Sequence, residues 1–321
     1  MGELSWFLLT RGLWLILMEF TVVRFGFVFN FNYSFLGAAQ VIWVIGVSMV
    51  IMAGLIYLPM RAIAVYGLAL VLLHNLLDAF QLPQNIAYGG SPDIGQMFWF
   101  VLHQQGLIPL FGGATTTIVL YPLIPWTGVM ALGYVTGTVY GWDAERRRDW
   151  LLKIGSIVTI AFIVQRGINV YGDPSRWVRQ DTISFTVLSF LNTTKYPPSL
   201  LYLLMTLGPA LIVLALTDRV DGKAIWQRIC IIYGRVPMFY YLLQFPLAHA
   251  LAIVLSYLAG KDISYLFMNF PASFASAPTD AGFSLGVVYL VWIAGLVILF
   301  PLCFWWGKLK RKNKHWALSY L

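Results

Sequence analysis

Charge is what this chain has least of. Asp, Glu, Lys and Arg make up 11% of its 321 residues, while 60% are hydrophobic. Soluble domains carry about 25% charged residues. So few charges cannot clothe a water-soluble surface, and the mean hydropathy of +0.76 agrees. A soluble enzyme is excluded, and a polytopic membrane protein is expected.

Other absences narrow the reading. Cys230 and Cys303 are the only cysteines, and both sit in apolar runs, which argues against a disulfide framework and against zinc-ligand spacing. Met1 to Leu17 lacks a basic leader followed by a small-residue cleavage site. No GxSxG, Walker loop, GxGxxG or HExxH occurs. No soluble domain and no internal repeat stands out. The net charge of +8 would suit nucleic acid, but the basic residues collect at the ends of apolar runs, so no nucleic-acid partner is expected.

What is present is a series of long apolar runs. A helix needs roughly 20 apolar residues to cross a bilayer. Eight such segments are expected, at Trp6–Phe27, Leu36–Leu58, Ala62–Phe80, Thr115–Tyr140, Leu151–Val170, Ser199–Thr217, Pro237–Leu258 and Leu285–Phe304. The fold class is therefore all-α, a helix bundle in the membrane. Every second connection is basic. Arg61 follows the second span, and Arg146, Arg147, Arg148 and Lys153 follow the fourth. Arg219, Lys223, Arg228 and Arg235 follow the sixth. Lys308, Lys310, Arg311, Lys312 and Lys314 form a basic tail over 308–321. Cytoplasmic loops carry such an excess, so both termini are expected in the cytoplasm. The basic clusters also suit anionic lipids. Of the outer connections, 81–114 reads as an irregular loop in "QLPQNIAYGGSPDIGQ". In the same connection "MFWFVLHQQGLIPLF" reads as re-entrant or interfacial.

Ionisable groups inside spans are costly and usually face a bundle interior or a wet cavity. Glu19 and Arg24 lie in the first span. His74 and Asp78 lie in the third at i and i+4, one turn apart on an α-helix. There the carboxylate would orient the imidazole. Arg166 and Asn169 end the fifth span, Asp173 follows, and His249 lies in the seventh. The topology puts Arg24, His74, Asp78, Arg166, Asn169 and the polar knot Asn192, Thr193, Thr194, Lys195 and Tyr196 at one outer level. Pro197 and Pro198 then read as the start of the sixth span, because a missing N–H costs nothing there. Free N–H groups at that end would cradle an anion or a developing oxyanion. The plainer alternative at each position is a hydrogen-bond network that holds helices in register, with Lys195 reaching to the interface.

The stretches "FLLTRGLWLILMEFTVVRFGFVFNF", "VLHQQG", "YPLIPWTGVMALGY", "NVYGDP", "FLNTTKYPPSLLYLLMTLGPA" and "YGRVPMFYYLLQFPLAH" together resemble the bacterial branch of the heparan-alpha-glucosaminide N-acetyltransferase-like family. The resemblance covers nearly the whole chain and is most specific over Leu191–Pro209. It implies a membrane acyltransferase, in the bacterial cytoplasmic membrane, with acyl-CoA (acetyl-CoA first) as co-substrate and no metal. The acceptor would be an amine or hydroxyl on a small sugar-like or cell-envelope glycan molecule. Membrane lipids are the other expected partner, and a homodimer is compatible with the reading.

Acyl transfer needs a general base near the acceptor. His103 is the first candidate for base or acceptor orientation. His74 with Asp78, and His249, come next. The knot residues, with Arg24, Arg166, Asn169, Asp173 and His249, are candidates for acceptor or acyl contact, and Arg235 for the donor's phosphates. Family members usually begin with two further spans, the first carrying an Arg-Gly pair and then an Asp-His pair. Here "MGELSWFLLTRG" resembles the start of a later span. A shortened relative, or a start codon placed too late, is therefore expected, and no residue takes that histidine's role. A non-catalytic membrane component or a transporter of the same fold stays open as the alternative. Glu19, His74, Asp78 and His249 would serve a proton-coupled transporter, but paired broken helices and repeat halves are not visible.

Overall fold

In the computed structural model, which describes residues 1–313 and 315–320, helices alternate with a small amount of strand. In chain order the helices are α1 (Gly2–Met18), α2 (Arg24–Val28), α3 (Val41–Leu55), α4 (Met60–Leu73), α5 (Gln84–Gly89), α6 (Ile94–Leu102) and α7 (Leu123–Gly137). They continue as α8 (Ala144–Ile168), α9 (Ile183–Leu191), α10 (Leu200–Thr217), α11 (Ile225–Gly234), α12 (Pro237–Leu258), α13 (Phe270–Ser276) and α14 (Leu285–Lys312). Three strands, β1 (Phe35–Ala39), β2 (Gly106–Leu110) and β3 (Thr115–Val119), pair in the order β1-β3-β2. The chain is thus mostly helical rather than purely so.

Among the described residues, six helical runs are long and apolar enough to cross a membrane: Gly2–Val28, Met60–Phe80, Ala144–Ile168, Leu200–Thr217, Pro237–Leu258 and Leu285–Lys312. The protein is an integral membrane protein. Large apolar side chains such as Ile160, Val164, Leu290 and Val297 stand exposed on these helices, and lipid is the solvent that suits them. The other two expected spans are shorter than the sequence suggests. Leu36–Leu58 opens with β1, and Thr115–Tyr140 opens with β3. That leaves α3 and α7 with 15 residues each, about 22 Å of helix. The cause is local. Thr115–Val119 is β-branched throughout, which favours an extended chain, and Gly37 breaks any helix with φ +131°. The expected irregular loop is also more ordered. Asp93 caps α6 by accepting from Gln96 N–H at 2.9 Å, while the Gln96 side chain accepts from Asp93 N–H at 3.0 Å. Lys308–Lys312 lie on the last turns of α14 instead of in a separate tail; Lys314 lies outside the described residues.

The chain divides into two units. The first comprises 1–16, 39–109 and 118–220. In it α8 packs along α10 and α4 along α7. Small residues permit the α8–α10 approach, since a Cβ on Gly208 would come within 2.5 Å of Thr159 Oγ1. Val71, Leu200 and Leu203 form one buried cluster, and Met52, Ile56, Ile63 and Ala131 another. Arg147 grips Asp218 with two bonds of 2.9 and 2.8 Å, which ties the start of α8 to the end of α10. The second unit comprises 17–38, 110–117 and 221–321. Its core is Val236, Leu299 and Cys303, between α12 and α14.

Candidate active site

The first unit gathers most of the sequence-marked polar residues, though not in the expected pairs. Residues His74–Phe80 continue α4 as a 3-10 helix. With three residues per turn, i and i+3 eclipse, and i+4 turns away by roughly 120°. Asp78 therefore lies over Asn75, whose Nδ2 donates to Asp78 Oδ2 at 2.7 Å. The expected His74–Asp78 pair does not form. Asp78 Oδ1 is instead 2.9 Å from His103 Nε2. His74 Nε2 lies 2.9 Å from Pro198 O, and its Nδ1 lies 3.0 Å from Val71 O. Both ring nitrogens of His74 face carbonyl oxygens, so this residue is a tether and not a base.

His103 is fully buried and ends α6. Its turn is held on both sides. The Gln104 amide accepts from Leu82 N–H at 2.7 Å and donates to Leu82 O at 2.9 Å. Gln105 Nε2 donates to Leu120 O at 3.0 Å. Gly106 lets the backbone pass the buried Phe100 ring, where an added Cβ would sit 2.5–2.6 Å from three ring atoms. Gly106→Ala is expected to cost about 1–3 kcal/mol through overpacking. A lowered melting temperature checks it, with Gly133→Ala as the control because a Cβ there meets nothing within 4 Å. A carboxylate only accepts, so Asp78 fixes the proton of His103 on Nε2. Nδ1 is buried and makes no hydrogen bond to any described residue. The result is a carboxylate-oriented imidazole with one unengaged basic nitrogen.

The knot at 192–199 is tied to this pair but is not the anion cradle the sequence suggests. Helix α10 starts at Leu200, with Ser199 as its cap, so Pro197 and Pro198 lie before the helix. Its first N–H groups are already engaged. Leu200 N–H donates to Asn75 Oδ1 at 2.8 Å, Leu201 N–H to Gly172 O at 2.9 Å, and Tyr202 N–H to Ser199 Oγ at 3.0 Å. No donor of the first turn is left for a ligand. Asn75 thus links α10 to Asp78 and, through it, to His103.

Asp173 is the organiser of the knot. Its carboxylate accepts from Thr194 N–H at 2.9 Å, Thr194 Oγ1 at 2.8 Å, Ser199 Oγ at 2.7 Å and Ser175 N–H at 2.8 Å. Arg166, 1% exposed, donates to the carbonyls of Phe190, Ser175, Ser189 and Asn192 at 2.9, 2.8, 3.2 and 2.7 Å. Asn169 caps α8 in the left-handed region and bonds both backbone groups of Trp177. These three residues, expected to contact substrate, are spent on the chain itself.

What the fold leaves uncommitted in the knot is the exposed Asn192 side chain, the buried Thr193 hydroxyl, which has no hydrogen-bond partner among the described residues, and the Lys195–Tyr196 pair. Lys195 Nζ lies 5.0 Å from the Tyr196 ring centre and 6.0 Å from that of Tyr121. Tyr121 Oη donates to Tyr196 Oη at 3.3 Å. Burial pushes the Tyr196 phenol up, but the hydrogen bonds from Tyr121 and Lys195 and the lysine's charge bring it below the ordinary tyrosine range. An alkaline absorbance titration should show a phenolate step below that range, absent in Tyr196→Phe and moved back up in Lys195→Met.

Arg24, His249 and Arg235 belong to the second unit. Arg24 donates to the backbone of Asn30, Asn32 and Phe35 and to the Asn30 and Asn269 side chains. It is a loop clamp and not a ligand contact. His249 meets Phe29 edge-on, with ring centroids 4.6 Å apart. Arg235 lines a cleft with Arg228 and Arg311. Among the described residues, no three His, Cys, Asp or Glu side chains are placed to hold a metal ion. Asn75, Ser199, Tyr121 and Gln104 are site residues that the sequence reading missed. Only Asn75, an amide inside an apolar span, carried a signal that could have found it. No protein-family model, curated protein or solved structure matches the chain.

Proposed function

We propose that this protein is a membrane acyltransferase that moves an acetyl or similar acyl group from an acyl-CoA to an amine or hydroxyl of a sugar-like or cell-envelope acceptor. This is the activity implied by its resemblance to the heparan-alpha-glucosaminide N-acetyltransferase-like family. The observation that carries it is the Asp78–His103 pair with an unengaged Nδ1. In this reading His103 Nδ1 takes the proton from the attacking N–H or O–H as the new C–N or C–O bond forms. The thioester C–S bond breaks, and the proton passes to the departing thiolate. Asp78 stabilises the transient imidazolium, as in other carboxylate–histidine pairs. Lys195 and the Thr193 hydroxyl are the donors nearest in kind to what a developing oxyanion needs.

The same reading takes α3 and α7 as the two remaining spans, which gives eight in all, both termini in the cytoplasm and a bacterial cytoplasmic membrane. The saturated state of Arg24, Arg166, Asn169 and Asp173 favours the alternative, a transporter or non-catalytic component of this fold. Release of free thiol from acetyl-CoA by the purified chain, dependent on an amino-sugar acceptor, separates the two. No release above a His103→Gln control leaves the alternative standing.

A further inference from the structure

Two of the cavities in the second unit are lined by residues that the acyl-transfer reading leaves without a role. One is a cleft of about 340 Å³ lined by Arg228, Arg235 and Arg311. Arg228 Nε reaches only Gly222 O, at 3.3 Å. The side chains of Arg235 and Arg311 make no hydrogen bond or ion pair with any described residue. The one carboxylate at the rim, Asp221, is 2.9 Å from Lys223 Nζ. Three guanidinium groups therefore line one small space whose carboxylate, Asp221, is already paired with Lys223. In so uncharged a chain that arrangement fits a phosphate group.

The other cavity is an apolar groove of about 320 Å³ between α12 and α14, lined by Tyr240, Leu247, Leu251, Val288, Gly295 and Leu299 among others. The two cavities share no lining residue but lie one helical turn apart along α14. Cys303 lines the cleft and Leu299 the groove, and both pack in a single buried cluster with Val236, next to Arg235. From Tyr240 to Leu251 the groove follows α12 for about 16 Å at 1.5 Å per residue. That is half of a hydrocarbon core roughly 30 Å thick, so the groove has the length of one leaflet. The cleft, with Gly307 and Arg311, lies toward the basic end of α14, and the groove runs away from it.

We propose that cleft and groove together hold one anionic phospholipid of the surrounding bilayer. Its phosphodiester rests on Arg228, Arg235 and Arg311, and one acyl chain lies along the groove. Charge and length both point to this occupant. A free phosphate would leave the groove unused, and a zwitterionic lipid would bring its own ammonium into a cleft already lined by three arginines.

The full chain in neutral detergent is titrated with dioleoyl phosphatidylglycerol, dioleoyl phosphatidylcholine, inorganic phosphate or coenzyme A while its melting temperature is followed. Phosphatidylglycerol alone is expected to raise it. Arg235→Ala with Arg311→Ala should weaken that binding by roughly tenfold for each charge-assisted bond removed. Both residues are exposed and their side chains bond no described residue, so their loss should spare the fold. Gly295→Phe, at a position where a Cβ meets nothing within 4 Å, should block the chain and weaken binding with the arginines intact. An equal response to phosphatidylcholine or to phosphate overturns the proposal, as does an unchanged response in either variant. Displacement of the lipid by coenzyme A would give the cleft to the donor and overturn it as well. The measurement reads binding and not turnover, so its failure is distinct from a failure of the transferase reading.

Discussion

His103→Gln is expected to lower acyl turnover by about 10²–10⁴-fold, the usual worth of a positioned general base. Glutamine fills most of the volume and can still meet Asp78, but it has no lone pair that accepts a proton at neutral pH. The fold should survive, because Gln104, Gln105 and Gly106 hold the turn independently. His103→Gly opens a space that free imidazole can enter, and partial recovery of turnover with added imidazole is expected there. A merely structural histidine would give no such recovery. Asp78→Asn tests the positioning role. The amide can present its NH₂ to Nε2, which drives the ring proton onto Nδ1, the atom that must be bare. Turnover should fall with KM little changed, because the acceptor would still bind. Equal turnover in wild type and His103→Gln would remove His103 from the chemistry and with it the main support for the transferase reading.

The long spans were legible because an uninterrupted apolar run fixes its own length. Pro237–Leu258 matches its helix at both ends, and Ser199–Thr217 misses by the cap residue alone. The strands were not, because five residues at the head of a longer apolar run are too few for a period to show, even where, as at Thr115–Val119, β-branching marks them. "TTTIV", and "FLGAA" from Leu36 onward, were absorbed into the helices behind them. At the site, the candidate residues were legible as types and their pairings were not. The i, i+4 rule assumes α-helical pitch, and the 3-10 winding at His74–Phe80 reassigns Asp78 to a histidine 25 positions away. The arginines misled for another reason. A charge inside a span does need a partner, but Arg24 and Arg166 found theirs in backbone carbonyls, which every residue owns and no sequence marks.

Arg166→Met should therefore be among the most destabilising single changes in the first unit. Methionine keeps much of the apolar stem and removes every donor. The carbonyls of Ser175, Ser189, Phe190 and Asn192 would lose their shared partner. Ser189 and Phe190 belong to the last turn of α9, whose carbonyls have no partner within the helix. Ser189 and Phe190 are half-buried and Ser175 and Asn192 exposed, so the cost of about 1–3 kcal/mol for a dry unpaired acceptor applies in full to only part of the set. Relaxation and water entry recover part of this, so a total near 3–5 kcal/mol is expected, of the order seen when one partner of a buried charged contact is removed. Arg166→Lys should recover only part of the loss, because one ammonium cannot reach four oxygens spread around a planar guanidinium. The melting temperature in detergent reads the stability. Limited proteolysis between 175 and 192 reads whether the loop under α9 has come loose. The opposite pattern, full stability with loss of acceptor binding, would return Arg166 to the substrate. The saturation of its donors by the chain predicts that stability fails first.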